Sequence, residues 1–532
     1  MKILKSKALF SNDAPGKSDM KKHLVCLVLL SVVLRFWQLG NIPPGVSHDE
    51  LDFVNNGYSL VKTGRDLYGD PLHLTVGRRG IVVLPALLSG TFTGVFGLTQ
   101  FWAKFPAAIL GILDAVLIYG ISIQLFHHRR AALWTGLAFI LSPWALFLSR
   151  SMFDPTVCLF LFLTAIFILL RARCLHPALT GFLILNLGLW SYYGALFFYL
   201  PLFLLFAYWQ RRVLKIRGTI ITVILLSVGL IVYYAGTLPA VGRSGELLFQ
   251  KLPDISAQVV FDRSYSGSAR WMNRLFVNKA VVFSRRLAAN YLETFNPRML
   301  FVDGDPNRQF GMWGRGELVF WELPLIILGI YWAFTKYRRS AVKLLMILLI
   351  APLTTALSTQ IFATRSLLLF PVLLLFSGIG FVKLFSLSHK ITLVFICLYL
   401  FSAAAGLHQY FYRYPVYAAA QWFDYEKFLS KYLTKLSTSV IVLTPENRPL
   451  FYQYYFYTHP DPQAVQNALA SVSASSPIHF RNLSFLTDCR HPVSASGLLI
   501  IHKDCYPDPT GTVDTIKTAD KSDRVFWYIF KP

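Results

Sequence analysis

The chain has 532 residues, 55% of them hydrophobic and 15% charged, with a formal net charge of +24 and a mean hydropathy of +0.50. Soluble proteins carry about 25% charged residues. This chain instead repeats apolar runs long enough to cross about 30 Å of hydrocarbon, which excludes a soluble globular fold. Lys and Arg gather in short loops between those runs rather than in a basic domain, which excludes nucleic acid as a partner.

In chain order, a basic tail, 1–22, precedes an apolar run that ends in "FWQLGNIPPG". Those are not the small residues of a signal-peptide cleavage site, so the run is read as a signal anchor with its N-terminus in the cytoplasm. Spans are predicted near 23–40, 105–126, 131–149, 155–170, 177–193, 194–209, 219–237, 317–334, 344–358, 367–385 and 391–407. The loops "HHRR", "RARCLH", "QRRVLKIRG", "TKYRRSAVK" and "KLFSLSHK", with the N-terminal tail, hold twenty Lys and Arg residues. The short loops on the other side hold three: Lys104, Arg150 and Arg365. That asymmetry assigns the basic side to the cytoplasm. One run, 81–97, breaks the parity if it crosses. It contains Pro85, Gly90, Gly94 and Gly97, so it is expected to be re-entrant or interfacial.

The expected fold class is an all-α polytopic membrane protein with about eleven transmembrane helices plus interfacial helices. A membrane domain, 23–407, carries external loops at 41–80 and 238–316. A small extracytoplasmic α/β domain follows at 408–532. In it "SVIVLT", "PIHFRNL", "GLLIIHK" and "RVFWYIF" read as short strands and "PQAVQNALASV" as a helix. Cys489 and Cys505 lie in this domain and could pair in an oxidising compartment. Cys26, Cys158, Cys174 and Cys397 fall in or beside spans and read as core fillers.

The polar residues that could carry chemistry fall on the external side. Asp49 and Glu50 follow a Pro-Pro-Gly break in "PPGVSHDE". Leu51, Val54, Tyr58 and Val61 recur at helical spacing after them, which predicts an amphipathic helix with that face toward lipid. Acids in its first turn suit the helix dipole, and a carboxylate there could also act as a general base. Arg150 and Asp154 flank a turn in "LSRSMFDPTV", where Asp-Pro also fits a helix start. Arg78 and Arg79 in "VGRRG", Arg315 in "GRGEL" and Arg365 in "ATRS" are basic groups beside spans. Singly they fit interfacial anchors. Together, on a face rich in acid, they point to an anionic ligand, since Arg pairs with phosphate through two parallel hydrogen bonds. The stretch 270–295 reads as one basic amphipathic helix. Asp114 stands alone inside a span, where it could be a packing residue or part of an ion path.

In order, "PPGVSHDE", "FWAKFPAAILGIL", "LSPWALFLSRSMFDPTV", "GELVFWELPLIILGIYW" and "ATRSLLLFP" resemble bacterial GT-C-fold glycosyltransferases of the protein O-mannosyltransferase and lipid A aminoarabinose transferase-like group. The likeness covers about 23–385. It implies transfer of a sugar from a polyprenyl-phosphate donor to a protein, lipid or glycan acceptor on the outer face of the cytoplasmic membrane, with inversion at the anomeric carbon. It implies Asp49, with Glu50 beside it, as catalytic base, and Asp154 as an assisting acid. It further implies Arg78 or Arg79 at the lipid phosphate; Arg150, Arg315 and Arg365 are read, from their place on the same acid-rich face, as further donor-phosphate contacts. Lys104 keeps the charge of an Arg in the family's pattern, whereas "IFATRS" lacks the family's His-Ala before the late Arg. A divalent cation is left open, with Asp49 and Asp154 as its ligands, and no nucleotide cofactor is expected because no Gly-rich phosphate loop is present. A lipid or glycan transporter and another external-face glycan polymerase or ligase are the competing readings.

Overall fold

In the computed structural model of the chain, residues 17–237, 252–470, 472, 476–487, 489, 497–505 and 511–530 are described. The start of the expected cytoplasmic tail, up to residue 16, and the start of the second external loop, 238–251, lie outside them. The chain divides into two compact units. One comprises the chain up to Arg35, Leu110–Leu148 and Val157–Gly406; the other comprises Phe36–Ile109, Ser149–Thr156 and Leu407–Pro532.

The predicted spans appear as helices. The first four helices of the chain are α1 (Lys17–Phe36), α2 (His48–Thr63), α3 (Val83–Phe96) and α4 (Gln100–Phe126). Among the described residues, six helical stretches are long and apolar enough to cross a membrane. One of them, Tyr193–Ala235, contains two predicted spans. Its helix breaks at Lys215, which takes φ 49°, inside the basic "QRRVLKIRG" loop. The stretch 270–295 is not one helix but two, Arg270–Phe276 and Lys279–Glu293. Asn278 interrupts them, because its side chain caps the second by accepting from the Val281 N–H. Asp114 is not alone either: the buried Arg35 guanidinium lies within electrostatic reach of it.

In the other unit, α2 and α3 pack side by side. A Cβ on Gly57 would come within 1.9 Å of the Ala86 carbonyl oxygen, and one on Gly90 within 2.2 Å of the Gly57 backbone. Ala86, Gly90 and Gly94 recur every four residues, so the small residues that weaken α3 as a lone helix let two backbones approach closely. With 14 residues, α3 is ~21 Å long, too short to cross ~30 Å of hydrocarbon. Leu51 and Val54 of α2 do not face lipid. Both are fully buried in one core with Leu450, Phe451 and Tyr455 of the C-terminal tail. An amphipathic helix needs an apolar partner on its apolar face, and here protein supplies it.

The tail folds as a six-stranded mixed sheet with helices. Preceding it in the chain, β1 (Thr75–Val76) and β2 (Ile81–Val82) form a small hairpin near α3. The tail strands are β3 (Val440–Leu443), β4 (Ile478–Phe480), β5 (Leu483–Leu486), β6 (Leu498–His502), β7 (Asp514–Lys517) and β8 (Val525–Phe530), in the order β4-β5-β3-β6-β8-β7. β3 runs parallel to β5 and β6, with Val440 opposite both Leu483 and Leu498. The tail helices are α5 (Asp424–Leu433), α6 (Asn447–Thr458) and α7 (Pro462–Leu469). Cys489 and Cys505 are disulfide-bonded, their Cα atoms 4.8 Å apart.

Candidate active site

The segment Ile42–Val46 leads into α2. Pro43 and Pro44 have no N–H, so the segment cannot join a helix or sheet, and its carbonyls need other partners. Five in a row receive side-chain donors. The Ile42 oxygen accepts from Arg150 at 3.0 Å, and the Pro43 oxygen from the Gln100 amide. The Pro44 oxygen accepts from Lys427 at 3.3 Å, the Gly45 oxygen from Lys104 at 2.7 Å and the Val46 oxygen from Gln453 at 2.8 Å. Gly45 is required at its place, because a Cβ there would lie 2.1 Å from the Trp422 carbonyl oxygen.

This anchored segment delivers two adjacent acids into opposite environments. Ser47 caps α2 in a capping box, its hydroxyl accepting from the Glu50 N–H while the Glu50 carboxylate accepts from the Ser47 N–H. Glu50 is fully buried. Its other oxygen accepts from the Met152 N–H at 2.7 Å, and Lys104 Nζ lies 4.0 Å away. Burial pushes the Glu50 pKa up, while Lys104 and the two N–H donors pull it back only in part. Asp49 is the accessible member, its side chain 58% exposed and 3.6 Å from the Arg79 guanidinium. One helical turn on, the buried Asp52 accepts from the same guanidinium at 3.0 Å. Burial alone would lower the Arg79 pKa, but Asp52 and Asp49 raise it.

Arg78 and Arg79 occupy the tip of the β1–β2 hairpin, closed by a Gly80 N–H bond to the Gly77 carbonyl. Asp66 fixes this tip, its carboxylate accepting from the Gly77, Tyr68 and Asp70 N–H groups. Arg78 lies 5.0 Å from the centre of the Tyr68 ring. Sequence reading counted Asp52 among the acids of this loop but gave it no role, although its spacing of three from Asp49 places both on one side of a helix. It passed over Tyr68 and its partner Tyr452, for which no local pattern exists.

The other expected residues sit as follows. Arg150 is fully buried and donates to the Ile42 and Trp37 carbonyls and to the Tyr410 hydroxyl. Asp154 opens the helix Asp154–Arg171 and is half-buried. It belongs to the compact unit that holds Asp49. Arg315 and Arg365 belong to the other unit. There Arg315 donates to the Ser402 carbonyl at 3.0 Å and Arg365 to the Gln360 carbonyl at 3.1 Å. Beside Arg365, the Asp305 carboxylate accepts from the Ala363 N–H at 2.6 Å, and burial pushes its pKa up to about 6. Among the described residues, no three His, Cys, Asp or Glu side chains converge as metal ligands. Asp49 and Asp52 share an arginine where a metal site would need a further ligand.

No protein-family model matches the sequence, and no curated protein matches it. Among solved structures, it is similar to ArnT from Cupriavidus metallidurans bound to undecaprenyl phosphate, at 12% identity and a TM-score of 0.55 over 96% of this chain and 98% of that one. The chain has the fold of ArnT. The apo state of ArnT gives a TM-score of 0.51 at 13% identity over the same shares. The oligosaccharyltransferase AglB from Archaeoglobus fulgidus, in complex with an inhibitory peptide and a dolichol-phosphate, gives 0.46 at 14% identity, over 83% of this chain and 64% of that one. The likeness to ArnT runs the length of both chains and includes the tail, beyond the stretch 23–385 in which the sequence resembled the GT-C group. The GT-C fold expected from the sequence is the fold observed.

Proposed function

We propose that the chain is a membrane glycosyltransferase that moves a sugar from a polyprenyl-phosphate donor to an acceptor at the extracytoplasmic face of the cytoplasmic membrane. The observation that carries the reading is the exposed Asp49 carboxylate held beside Arg79 at the head of a buried, capped helix, in a chain with the fold of ArnT.

Asp49 is the catalytic base: it takes the proton of an acceptor O–H or N–H. The acceptor atom then attacks the anomeric carbon, the bond from that carbon to the phosphate oxygen breaks, and polyprenyl phosphate leaves. A single displacement inverts the carbon. Arg78, with Arg79 beside it, neutralises the phosphate as its charge grows, and Asp154 assists from the same unit. Glu50 and Arg150 are positioning residues in this scheme: both are buried and bonded to the backbone that sets the direction of Asp49. Arg315 and Arg365, engaged by Ser402 and Gln360, are given no role in it.

The test is a transfer assay with purified protein, radiolabelled polyprenyl-phosphate sugars and a panel of acceptors. Asp49→Asn is expected to lose activity by about 100-fold or more, the usual contribution of a general base, with unchanged unfolding. Full activity in that variant would remove Asp49 from the role. No turnover by the native protein with any lipid-linked donor would favour a transport function.

A further inference from the structure

We infer that Arg448 of the C-terminal domain and Arg78 of the first loop form an anion-binding subsite for a phosphate-type oxyanion, so that the tail contributes directly to ligand recognition. The two residues lie 370 positions apart in the sequence, yet their guanidinium carbons lie 5.8 and 5.0 Å from the centre of one ring, Tyr68. The charges are therefore no further apart than those two distances together. The ring is fixed: it is buried, and its hydroxyl pairs with that of Tyr452 at 2.6 Å.

Among the described residues, neither cation has a compensating acid. Arg448 donates to the Val472 carbonyl at 3.1 Å, and Arg78 makes a long contact of 3.5 Å to the Ala470 carbonyl. Among the described residues neither pairs with a carboxylate, and Arg448 Nε is buried with no hydrogen-bond partner. Arg79, the next residue along, differs: Asp52 and Asp49 balance it. Two like charges held beside one aromatic ring repel each other, and the ring's attraction for each is weak. An oxyanion accepting from both guanidinium forks reverses the repulsion. That the anion is a phosphate rests on the transferase reading; that a two-arginine site exists does not. The anion is the donor's lipid phosphate or a phosphate carried by the other substrate.

The full-length protein in detergent is modified with phenylglyoxal, an arginine reagent, and the rates at Arg78 and Arg448 are read by peptide mass spectrometry. The probes are undecaprenyl phosphate in mixed micelles and inorganic pyrophosphate. Protection of both arginines by undecaprenyl phosphate assigns the anion to the lipid. Protection by pyrophosphate alone assigns it to the other substrate. Equal modification rates with and without either probe overturn the subsite, and this arm needs no variant. In Arg448→Gln, the probe concentration that half-protects Arg78 is expected to rise about tenfold, as for loss of one charged hydrogen bond. Arg448→Lys, which keeps the charge without the fork, falls between. Protection that persists in Asp49→Asn, or in a protein that transfers no sugar, upholds the subsite while the transferase reading fails. Transfer with both arginines unprotected does the reverse.

Discussion

Asp49 and Glu50 are neighbours with the same functional group, and their surroundings divide the work between them. The Glu50 carboxylate accepts two backbone N–H groups and faces Lys104 across 4.0 Å, with neither side chain exposed. Removing one partner of a buried pair leaves the other charge uncompensated, which costs on the order of 3 kcal/mol or more. Glu50→Gln is therefore expected to lower the unfolding free energy by about that amount, and Asp49→Asn to leave it within about 0.5 kcal/mol. Chemical denaturation of the two purified variants checks this. Equal stabilities would mean that Glu50 holds nothing in place. The pair was visible in the sequence; its division was not. Two adjacent helical residues point about 100° apart, so one faces in and the other out. Which one faces in is set by Lys104 and Met152, which are distant in the chain. Arg150 shows the same limit. It reads as a basic residue at a helix end, and only the carbonyls of Trp37 and Ile42 reveal that its charge is turned inward.

The α2–α3 pair carries the acid, and its contact is backbone to backbone. A Gly57→Ala change places a methyl carbon 1.9 Å from the Ala86 carbonyl oxygen, and neither helix can yield by moving a side chain. Overpacking of this kind costs about 1–3 kcal/mol or more. Because α2 also carries Asp49, transfer activity is expected to fall along with the thermal midpoint. An alanine at Gly64, where a Cβ meets nothing within 4 Å, serves as the control for the helix contact, although its φ of 74° adds a local strain of its own. Wild-type-like activity and stability in Gly57→Ala would show that the helices can separate freely. At this scale the apolar runs were legible, since length and hydropathy alone define a span. Gly90 and Gly94 weaken a lone spanning helix, as read, and they are also the surface on which α3 packs. Two elements were misread in instructive ways. Leu51 and Val54 looked lipid-facing and are covered by the tail, because an apolar stripe does not say what covers it. The basic stretch 270–295 kept its composition while Asn278 divided it. In the tail, four strands were read from β-branched and aromatic runs. β5 and β7 were missed, since "LSFL" and "DTIK" are short and mixed in character.

Across the whole chain, loop charge and cysteine chemistry give independent tests of one topology. If the tail is extracytoplasmic, Cys489 and Cys505 are oxidised in cells, while Cys26, Cys158, Cys174 and Cys397 stay free. Thiol labelling of intact and lysed cells, read by mass spectrometry, distinguishes the two sets. Free thiols at 489 and 505 in freshly quenched cells would count against the assignment of sides. With the two cysteines 16 positions apart, reduction is expected to lower the stability of the tail by about 3 kcal/mol, seen as earlier cleavage in pulse proteolysis.

The five anchored carbonyls of Ile42–Val46 also have a meaning in time. Their donors are Gln100, Lys104, Arg150, Lys427 and Gln453, so the segment leading to Asp49 is complete only when the last fifth of the chain has been made. At roughly 5–20 residues per second of synthesis, the nascent protein rests in the membrane for tens of seconds with its acid loop half held. During that interval the Asp49 carboxylate has no fixed direction. A chain cut short before residue 427 stays in that condition permanently. Residues among the last to be synthesised thus fix the first loop in place.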